Sequence, residues 1–374
     1  MVNRGLVWPL QFGWADRCTL ETTSELADAL GSGAAVAIGV SGGKDSCACA
    51  IAVNDYLNQI RHGGSRVLIH ADLGLVEWKQ SLPVCQRLAS QLRLELIVVR
   101  RQAGDLISRW NQRWRNNVCR YANLECVKLI LPWSTSSMRF CTSELKSAPI
   151  CRELVRRFPG QMIVSASGIR AQESARRSQR PIAAPQPRLR NRKHRTCGMD
   201  WHPILHWSRS DVLGYLAERA FELHEAYTVF GSSRVSCAFC VLASRSDLAA
   251  AATCEGNAEA YRALAALEID SSFAFQEHGW LCDVAPHLLD ESTRSRVAEA
   301  KRRSARRELA ERRIPEHLLY EKGWPTSVPS AAEARLLAEV RVTVSEAAGI
   351  AIGYRTPEEI CNRYDQLISA KRNG

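Results

Sequence analysis

Short apolar runs alternate with longer mixed stretches over the first two thirds of the chain. The stretches 47–59 and 82–92 have the length and composition of helices. The apolar runs are rich in β-branched residues and short enough to be buried strands, namely residues 34–40, 67–71, 94–99 and 162–166. Strands that alternate with helices predict an α/β fold with a doubly wound, mostly parallel sheet.

The same pattern divides the chain into three parts. Residues 1–33 are a mixed polar lead-in with a helix at 23–30, whereas residues 34–245 carry the strands and their connecting helices. Residues 246–374 have a helical pattern that is strongly basic from about residue 292. We therefore expect one α/β domain at 34–245, followed by a helical, basic C-terminal region.

A proline-rich basic segment interrupts the α/β domain at residues 179–196. We predict that it is an exposed, mobile arm that binds a polyanion through clustered cations. Its candidate nucleic-acid contacts are Arg188, Arg190, Arg192 and Lys193.

Composition narrows the class of protein. The chain has 374 residues, a net charge of +11 and 14 cysteines. No apolar run approaches the roughly 20 residues that a bilayer-spanning helix needs, and no secretion signal is evident at the N-terminus, so we expect a cytoplasmic protein without membrane attachment. In that setting the cysteines are better explained as free thiols or metal ligands than as disulfides, and the charge favours an acidic partner, nucleic acid first.

The most informative motif follows the first predicted strand. It reads Ser41-Gly42-Gly43-Lys44-Asp45-Ser46 and leads directly into a predicted helix. A loop between a strand and a helix presents free backbone N–H groups and the positive end of the helix dipole to an anion. The glycines permit close approach of a phosphate and Lys44 adds charge. The string differs from the usual P-loop, in which Ser or Thr follows the lysine.

Several strings resemble the phosphoadenosine phosphosulfate reductase family, within the N-type ATP pyrophosphatase or adenine nucleotide alpha hydrolase superfamily, from residue 34 to about 244. Besides the loop 41–46, they are residues 70–74 (His-Ala-Asp-Leu-Gly), 168–174 (Gly-Ile-Arg-Ala-Gln-Glu-Ser) and the tryptophan-containing stretch 201–212. The resemblance implies a sheet of the HUP type and an enzyme that cleaves ATP to pyrophosphate and AMP or an adenylylated product, with Mg²⁺ as the companion of the phosphates.

The resemblance also implies particular site residues. Lys44, Asp45 and Arg170 would be catalytic, with Arg170 a bidentate clamp on phosphate or sulfate. The nucleotide would also be contacted by Ser41, Gly42, Gly43, Ser46, Asp72, Gly168 and Glu173. For Trp201 and Trp207 we expect a place in the core rather than in a substrate platform.

Three cysteines form a second candidate site. Cys237 and Cys240 are a C-x-x-C pair, and Cys141 lies in a Cys-Thr-x-x-Leu-Lys string that resembles a branch including the sulfurtransferase of bacterial DNA phosphorothioation. The resemblance implies a 4Fe-4S cluster. The fourth ligand could be Cys254 or Cys197, or one iron could be open as in iron-sulfur tRNA thiolation enzymes. Four thiolates also suit tetrahedral Zn²⁺, which stays the alternative.

Three functions remain open on the sequence. The first is an ATP-dependent sulfurtransferase that activates a nucleic acid, DNA or tRNA, and takes sulfur from a cysteine desulfurase or another donor. The second is a sulfonucleotide reductase, whose C-terminal Glu-Cys-Gly-Leu-His element is not found in this sequence. The third is a nucleic-acid-binding module without activity, which the intact loop argues against. The oligomeric state is not indicated.

Overall fold

A computed structural model of the chain describes residues 18–277 and 279–372. These residues form two compact units that are interleaved along the sequence. The first unit comprises residues 18–105, 139–240 and 253–257, and the second comprises residues 106–138, 241–252 and the described residues from 258 onward.

The sheet belongs to the first unit and has six strands. They are β1 (Ala35–Gly39), β2 (Arg66–Asp72), β3 (Glu95–Arg100), β4 (Met162–Ser167), β5 (Ala183–Pro185) and β6 (Cys197–Trp201). Their order is β3-β2-β1-β4-β6-β5, and all neighbouring pairs are parallel except β5 with β6. The strand order reverses between β1 and β4, so the carboxyl ends of these two strands are where an open α/β sheet binds its ligand.

The helices of the described residues, in chain order, are α1 (Ser24–Gly31), α2 (Lys44–Gln59), α3 (Ser81–Leu92), α4 (Leu106–Ala122), α5 (Ala148–Arg157), α6 (Ala175–Ser178), α7 (Arg209–Glu218), α8 (Glu225–Thr228), α9 (Arg245–Thr253), α10 (Ala258–Ser271), α11 (Glu291–Glu311), α12 (Ala331–Ala348) and α13 (Pro357–Arg372). An α-helical turn, Phe140–Thr142, and a π-helical turn, Ser143–Ser147, lead into α5.

Both faces of the central strand β1 are buried against helices, which confirms the doubly wound fold. On β1, Val36 and Ile38 pack into one apolar cluster with residues of α2 and α3, while Ala35 and Ala37 pack into another with α5. Successive side chains of a strand point to opposite faces, so a strand covered on both sides must be apolar throughout. The continuous apolar runs in the sequence therefore predicted β1 to β4, whereas β5 and β6 were not predicted.

The tryptophans near the end of β6 are core residues, as expected from the sequence. Trp201 is fully buried and donates its indole N–H to the Glu21 carbonyl at 2.8 Å. Trp207 is also buried and donates to the Thr19 carbonyl at 3.0 Å.

The second unit is helical and has its own core, which includes Leu337, Val344 and Tyr364. The fully buried Arg341 donates to the carbonyls of Tyr121 and Gly353, at 2.9 and 2.8 Å. Residues 106–138, which the sequence pattern left inside the α/β region, pack with this unit. No helix of residues 18–277 or 279–372 has both the length and the apolar character to span a bilayer.

The basic residues of α11 and of the two positions that follow it, Arg312 and Arg313, are not a free polycationic surface. Arg296 pairs with Asp270 at 3.1 Å, Lys301 with Asp283 at 2.6 Å and Arg313 with Glu339 at 2.7 Å. Further ion pairs involve Arg294, Arg302, Arg306, Arg307 and Arg312, and Arg303 donates to a backbone carbonyl. The positive charge of this segment is thus largely balanced locally.

The expectation of a mobile arm at 179–196 is wrong. Residues 183–185 form the edge strand of the sheet, and Asn191 bridges to Thr196. Leu189 is fully buried, because it packs against Gly198 of β6. Arg188, Arg190, Arg192 and Lys193 are nevertheless exposed, so the predicted cationic surface exists on an ordered edge.

Candidate nucleotide and cysteine site

The loop 41–46 connects the carboxyl end of β1 to the first turn of α2. Gly43 is the residue that precedes the helix, and Lys44 is its first residue. Gly42 has φ +74°, and a Cβ at this position would lie 2.9 Å from the Ser81 carbonyl oxygen. Both the left-handed backbone and the tight contact require glycine. The helix N-terminus therefore lies where the sequence predicted a phosphate-binding loop.

Ser46 organises this loop from within. Its hydroxyl donates to the Gly43 carbonyl at 2.9 Å and accepts the Ser41 N–H at 3.2 Å. The Ser41 hydroxyl lies 3.3 Å from the same oxygen. Because its proton is used inside the loop, Ser46 holds the loop's shape, while the backbone N–H groups and Ser41 remain the better candidates for direct contact with an anion.

Asp45 stands between two cations. Its carboxylate is 3.1 Å from the Lys44 ammonium and 2.5 Å from Nε of Arg170. Lys44 and Arg170 are both nearly fully buried and do not line the cleft described below, whereas Asp45 does. The three side chains together carry one net positive charge, which lies at the base of the loop.

Arg170 differs from the free clamp that the sequence suggested. Besides Asp45, its guanidinium donates to Gln172 at 3.3 Å and to the Trp207 carbonyl at 3.4 Å. Its backbone N–H donates to Glu173 at 2.9 Å. A guanidinium with these protein partners fixes the loop after β4 against the loop after β1, and we assign it a positioning role rather than a bidentate grip on a ligand.

The close contact of the two loops also requires Gly168. A Cβ at this position would collide with the Asp45 carbonyl oxygen. Gly168 and Glu173 both line the cleft, as expected for the loop after β4. Glu173 is paired with Arg177, a cleft residue that the sequence analysis did not select.

Asp72 is placed differently from the expectation. One of its carboxylate oxygens accepts the Gly74 N–H at 2.7 Å, and the other pairs with Arg100 at 2.5 Å. It does not line the cleft. The carboxylate terminates β2 and closes the following turn, so its assignment to the nucleotide site is not supported by its position.

A cleft of about 450 Å³ opens at the carboxyl edge of the sheet. This volume is within the range of small-molecule sites. Its wall combines the phosphate loop, through Ser41, Gly43, Asp45 and Ser46, with all three predicted metal-binding cysteines, Cys141, Cys237 and Cys240. The structure thus brings the two candidate sites, far apart in sequence, to one place.

Four cations line the same cleft, namely Arg139, Lys146, Arg177 and Arg234. Within residues 18–277 and 279–372, only Arg177 of these four has a carboxylate partner. Nε of Arg139 is buried and has no hydrogen-bond partner in the part of the chain described. Unpaired cations around a cleft favour an anionic ligand, since buried charges are otherwise paired. No local sequence pattern predicted this convergence.

Residues 235–240, which carry Cys237 and Cys240 and are called the cysteine loop below, are anchored to the residues that follow β2. The backbone of Cys237 forms an antiparallel bridge with Glu77, and the Ala238 N–H donates to the Val76 carbonyl at 2.8 Å. Burial raises the pKa of the Cys237 thiol to about 12, while the Lys146 ammonium acts in the opposite direction. A cation beside these thiols would favour their deprotonated, ligand-forming state.

His70 and Glu77 form a buried pair beside the cysteine loop. The His70 ring lies 3.0 Å from the Val40 carbonyl on one side and 3.2 Å from the Glu77 carboxylate on the other. Burial alone would lower the pKa of His70, but its contacts with Cys85 and Glu77 outweigh burial and raise it to about 10. This pair links the start of the phosphate loop to the segment that carries Cys237.

The two candidates for a fourth ligand do not line the cleft. Cys197 begins β6 and is paired in register with Met162, the first residue of β4. It therefore lies at the amino edge of the sheet, roughly 13 Å from the cleft edge at about 3.3 Å per strand residue. This distance excludes Cys197 as a ligand of a metal bound by the cleft cysteines. Cys254 belongs to the first unit and lies beside Gly256.

The donor set suits an iron-sulfur cluster or zinc, since both are bound by thiolates. Three thiols share one cleft, and Arg139 and Lys146 beside them would offset the negative charge of thiolate ligands. Among the described residues, no three His, Cys, Asp or Glu side chains are grouped closely enough to hold a single metal ion. For Mg²⁺, the carboxylates that line the cleft are Asp45, Glu77, Glu173 and Asp200.

The model of one protein family matches the chain. It is described as the phosphoadenosine phosphosulfate reductase domain and matches residues 35–242. No curated protein sequence is significantly similar to the chain.

Two solved structures are among those similar to this one. The phosphoadenylyl-sulfate reductase of Candida auris, in a phosphate complex, has a TM-score of 0.37 at 12% identity and covers 61% of this chain and 89% of its own. The U34-tRNA thiolase NcsA of Methanococcus maripaludis, with its 4Fe-4S cluster, has a TM-score of 0.38 at 12% identity and covers 84% and 83%.

Proposed function

The chain belongs to the phosphoadenosine phosphosulfate reductase domain family, and on that premise we propose that it is an ATP-dependent sulfurtransferase forming AMP and pyrophosphate. One observation carries the proposal above the others. A phosphate-binding loop and three cysteines line a single cleft, together with cations that have no carboxylate partner in the described chain. Nucleotide activation and sulfur delivery could then occur on the same bound substrate.

In the first step, an oxygen atom of the acceptor attacks the α-phosphorus of ATP. A phosphorus–oxygen bond forms, the bond to the bridging oxygen breaks, and pyrophosphate leaves. The backbone N–H groups at the start of α2 would hold the phosphates, and the net positive charge of Lys44, Asp45 and Arg170 would stabilise the leaving group. Mg²⁺ is the expected companion of the pyrophosphate.

In the second step, a sulfur atom at the oxidation level of sulfide attacks the activated atom of the acceptor. The bond from that atom to the adenylyl oxygen breaks, and AMP leaves with the electron pair. Cys141, Cys237 and Cys240 would hold the sulfur-delivering group at the cleft. A 4Fe-4S cluster bound by three thiolates would supply an iron with one open coordination position. Zinc would supply either a structural site with all four positions filled or a Lewis acid.

For the acceptor we propose a nucleic acid. The partner would be a cysteine desulfurase, whose persulfide sulfur a thiol reductant would bring to the level of sulfide, or another sulfur donor. The net charge of +11 and the unpaired cations of the cleft support a polyanion. A sulfonucleotide reductase is the second candidate, favoured by the family match and by the same cations, which could hold its sulfate.

Product analysis separates these candidates. Anaerobically purified protein is incubated with ATP alone, with ATP, sulfide and DNA, with ATP, sulfide and tRNA, and with adenylyl or phosphoadenylyl sulfate plus a thiol reductant. The proposed activity releases pyrophosphate and AMP from ATP in the presence of a nucleic acid that gains sulfur, as seen by mass spectrometry. Release of sulfite from a sulfonucleotide, with ATP left intact, would overturn it in favour of the reductase.

The exposed basic edge offers a test of the polyanion proposal. Replacing Arg188, Arg190, Arg192 and Lys193 with glutamine should weaken nucleic-acid binding, because each lost phosphate contact reduces the salt slope by about 0.9 for duplex DNA. Binding is measured by fluorescence anisotropy at several salt concentrations.

A matched variant removes four cations that are already paired with carboxylates, namely Arg294, Arg302 and Arg306 of α11 and Arg312 just after it. It loses the same charge but should keep most of the affinity. Equal salt slopes for the two variants would show that only net charge matters and that the edge segment is not a binding surface.

A further inference from the structure

The hydroxyl of Tyr227 lies between the phosphate loop and the cysteine loop. It accepts the backbone N–H of Lys44 at 3.2 Å and the backbone N–H of Val235 at 3.1 Å. Lys44 is the first residue of α2, and its N–H is one of the groups that no residue within the helix can satisfy. Val235 is two residues before Cys237. One side-chain atom thus joins the two parts of the cleft.

Close packing accompanies this bridge. A Cβ on Gly43 would lie 3.4 Å from Cβ of Val235 and 3.5 Å from the Tyr227 hydroxyl. The phosphate loop and the cysteine loop are therefore in van der Waals contact at this point. The Lys44 ammonium also lies 5.1 Å from the centroid of the Tyr227 ring, within the range of a cation–π interaction.

The cysteine loop is held on its other side as well. The Ala238 N–H donates to the Val76 carbonyl at 2.8 Å, and Cys237 bridges to Glu77. Cys237 therefore lies between two anchors. The first is the segment after β2, which is fixed to the sheet, and the second is the Tyr227 hydroxyl. Of these two anchors, the Tyr227 hydroxyl is the one that contacts the Lys44 N–H directly.

The hydroxyl is suited to this role because it acts as a neutral double acceptor. Burial raises the pKa of Tyr227, so the group keeps its proton. Both lone pairs are used by the two N–H groups, and within the described residues its own proton has no acceptor. A phosphate oxygen that approaches the start of α2 would find that proton available next to the Lys44 N–H.

We propose that Tyr227 is a positioning residue that couples occupancy of the phosphate loop to the placement of Cys237. The proposal rests on the proposed function, because it takes the loop 41–46 as the nucleotide site. Nucleotide phosphates at the loop strengthen the Tyr227 bridge, and the bridge orders residues 235–238 around the thiol. Sulfur chemistry is thereby favoured only after the nucleotide has bound.

Hydrogen–deuterium exchange tests the coupling in the full chain without depending on activity. Exchange of the peptides containing residues 41–46 and 235–238 is followed with and without ATP and Mg²⁺, and in parallel with adenylyl sulfate. In the unmodified protein, nucleotide should slow exchange in both peptides. In Tyr227→Phe, slowing should persist at 41–46 but fall by roughly 2- to 10-fold at 235–238, the effect of one hydrogen bond.

Two further variants make the result specific. Tyr215 lies on α7, in the same unit and away from the cleft, and its hydroxyl contacts Asp55 at 3.1 Å. Tyr215→Phe removes this hydroxyl and should behave like the unmodified chain. Val235→Pro removes the N–H that Tyr227 accepts while leaving the hydroxyl in place, and should lose the coupling as Tyr227→Phe does.

The outcomes are distinguishable. If neither nucleotide protects residues 41–46 in the unmodified protein, the nucleotide site itself is wrong, and the proposed function fails with it. If both peptides are protected to the same extent in Tyr227→Phe and in the unmodified protein, the nucleotide site stands and the coupling role of Tyr227 is overturned.

Discussion

Lys44→Ala is expected to reduce ATP cleavage on the order of 10²- to 10³-fold, the loss seen when one preorganised charge-stabilising donor is removed from an active site. Lys44 and Arg170 flank Asp45, so the base of the phosphate loop carries one net positive charge. Without Lys44 that charge is zero, and the developing charge on pyrophosphate loses its compensation. The rate of pyrophosphate release under saturating ATP measures the effect.

The variant should remain folded, because Asp45 keeps its contact with Arg170 at 2.5 Å. Lys79→Ala is the matched control, since Lys79 is exposed and does not line the cleft. It should leave the rate unchanged. Thermal melting curves for both variants separate loss of activity from loss of structure. If the Lys44→Ala rate lies within about 2-fold of the unmodified rate, the loss is far smaller than that expected for a charge-stabilising donor, and Lys44 has no part in the mechanism.

Alanine at Cys141, Cys237 or Cys240 is expected to abolish metal binding and sulfur transfer. Each of these cysteines lines the cleft, and loss of one of three thiolates leaves too few protein ligands for a cluster or a tetrahedral zinc. The measurement is iron, acid-labile sulfide and zinc content of anaerobically purified protein, together with the visible spectrum. A brown, iron-containing unmodified protein supports the cluster, and a colourless, zinc-containing one supports the alternative.

Two other cysteines serve as comparisons. Cys197→Ala should retain all of its metal, because β6 places this residue at the opposite edge of the sheet. Cys254→Ala decides the fourth ligand. Full metal content with intact sulfur transfer indicates an open coordination position, whereas loss of metal assigns Cys254 as a ligand. Equal loss in Cys197→Ala and Cys237→Ala would contradict the cleft assignment as a whole.

Local sequence patterns predicted the parts of the fold that depend on neighbouring residues. The strand, glycine loop and helix around residues 35–59 were predictable because the burial of the strand, the positive φ of the loop glycine and the start of the helix all depend on residues that are adjacent in sequence. The burial of Trp201 and Trp207 followed from their side-chain size and setting. These features need no knowledge of distant contacts.

The charged groups of the site were harder to predict because their partners are remote in sequence. Asp45 meets Arg170 across 125 positions, and this contact turns a supposed ligand clamp into a loop-positioning contact. Asp72 is bound by Arg100, which the motif alone does not reveal. Conversely, Arg139 and Arg234 belong to no motif, and only the fold brings them to the cleft.

Runs of basic residues were the least informative signal. The segment 179–196 looked like a free arm because prolines and cations dominate it, yet the buried Leu189 and the strand at 183–185 attach it to the sheet. Along α11 the cations are matched by carboxylates on the same helix and on nearby ones. The sequence shows how many cations a segment has, but whether each cation is paired with a carboxylate depends on the tertiary structure.

The interleaving of the two units limits how the chain can be shortened. A fragment ending near residue 245 would keep α4 and the loop up to residue 138 but lose the helices with which they pack. Trp133 would be stripped of Phe275, whose ring centroid is 5.0 Å away, and the end of α4 would lose the Arg341 guanidinium that binds its carbonyl groups. C-terminal truncation alone would therefore leave residues 106–138 without their packing partners.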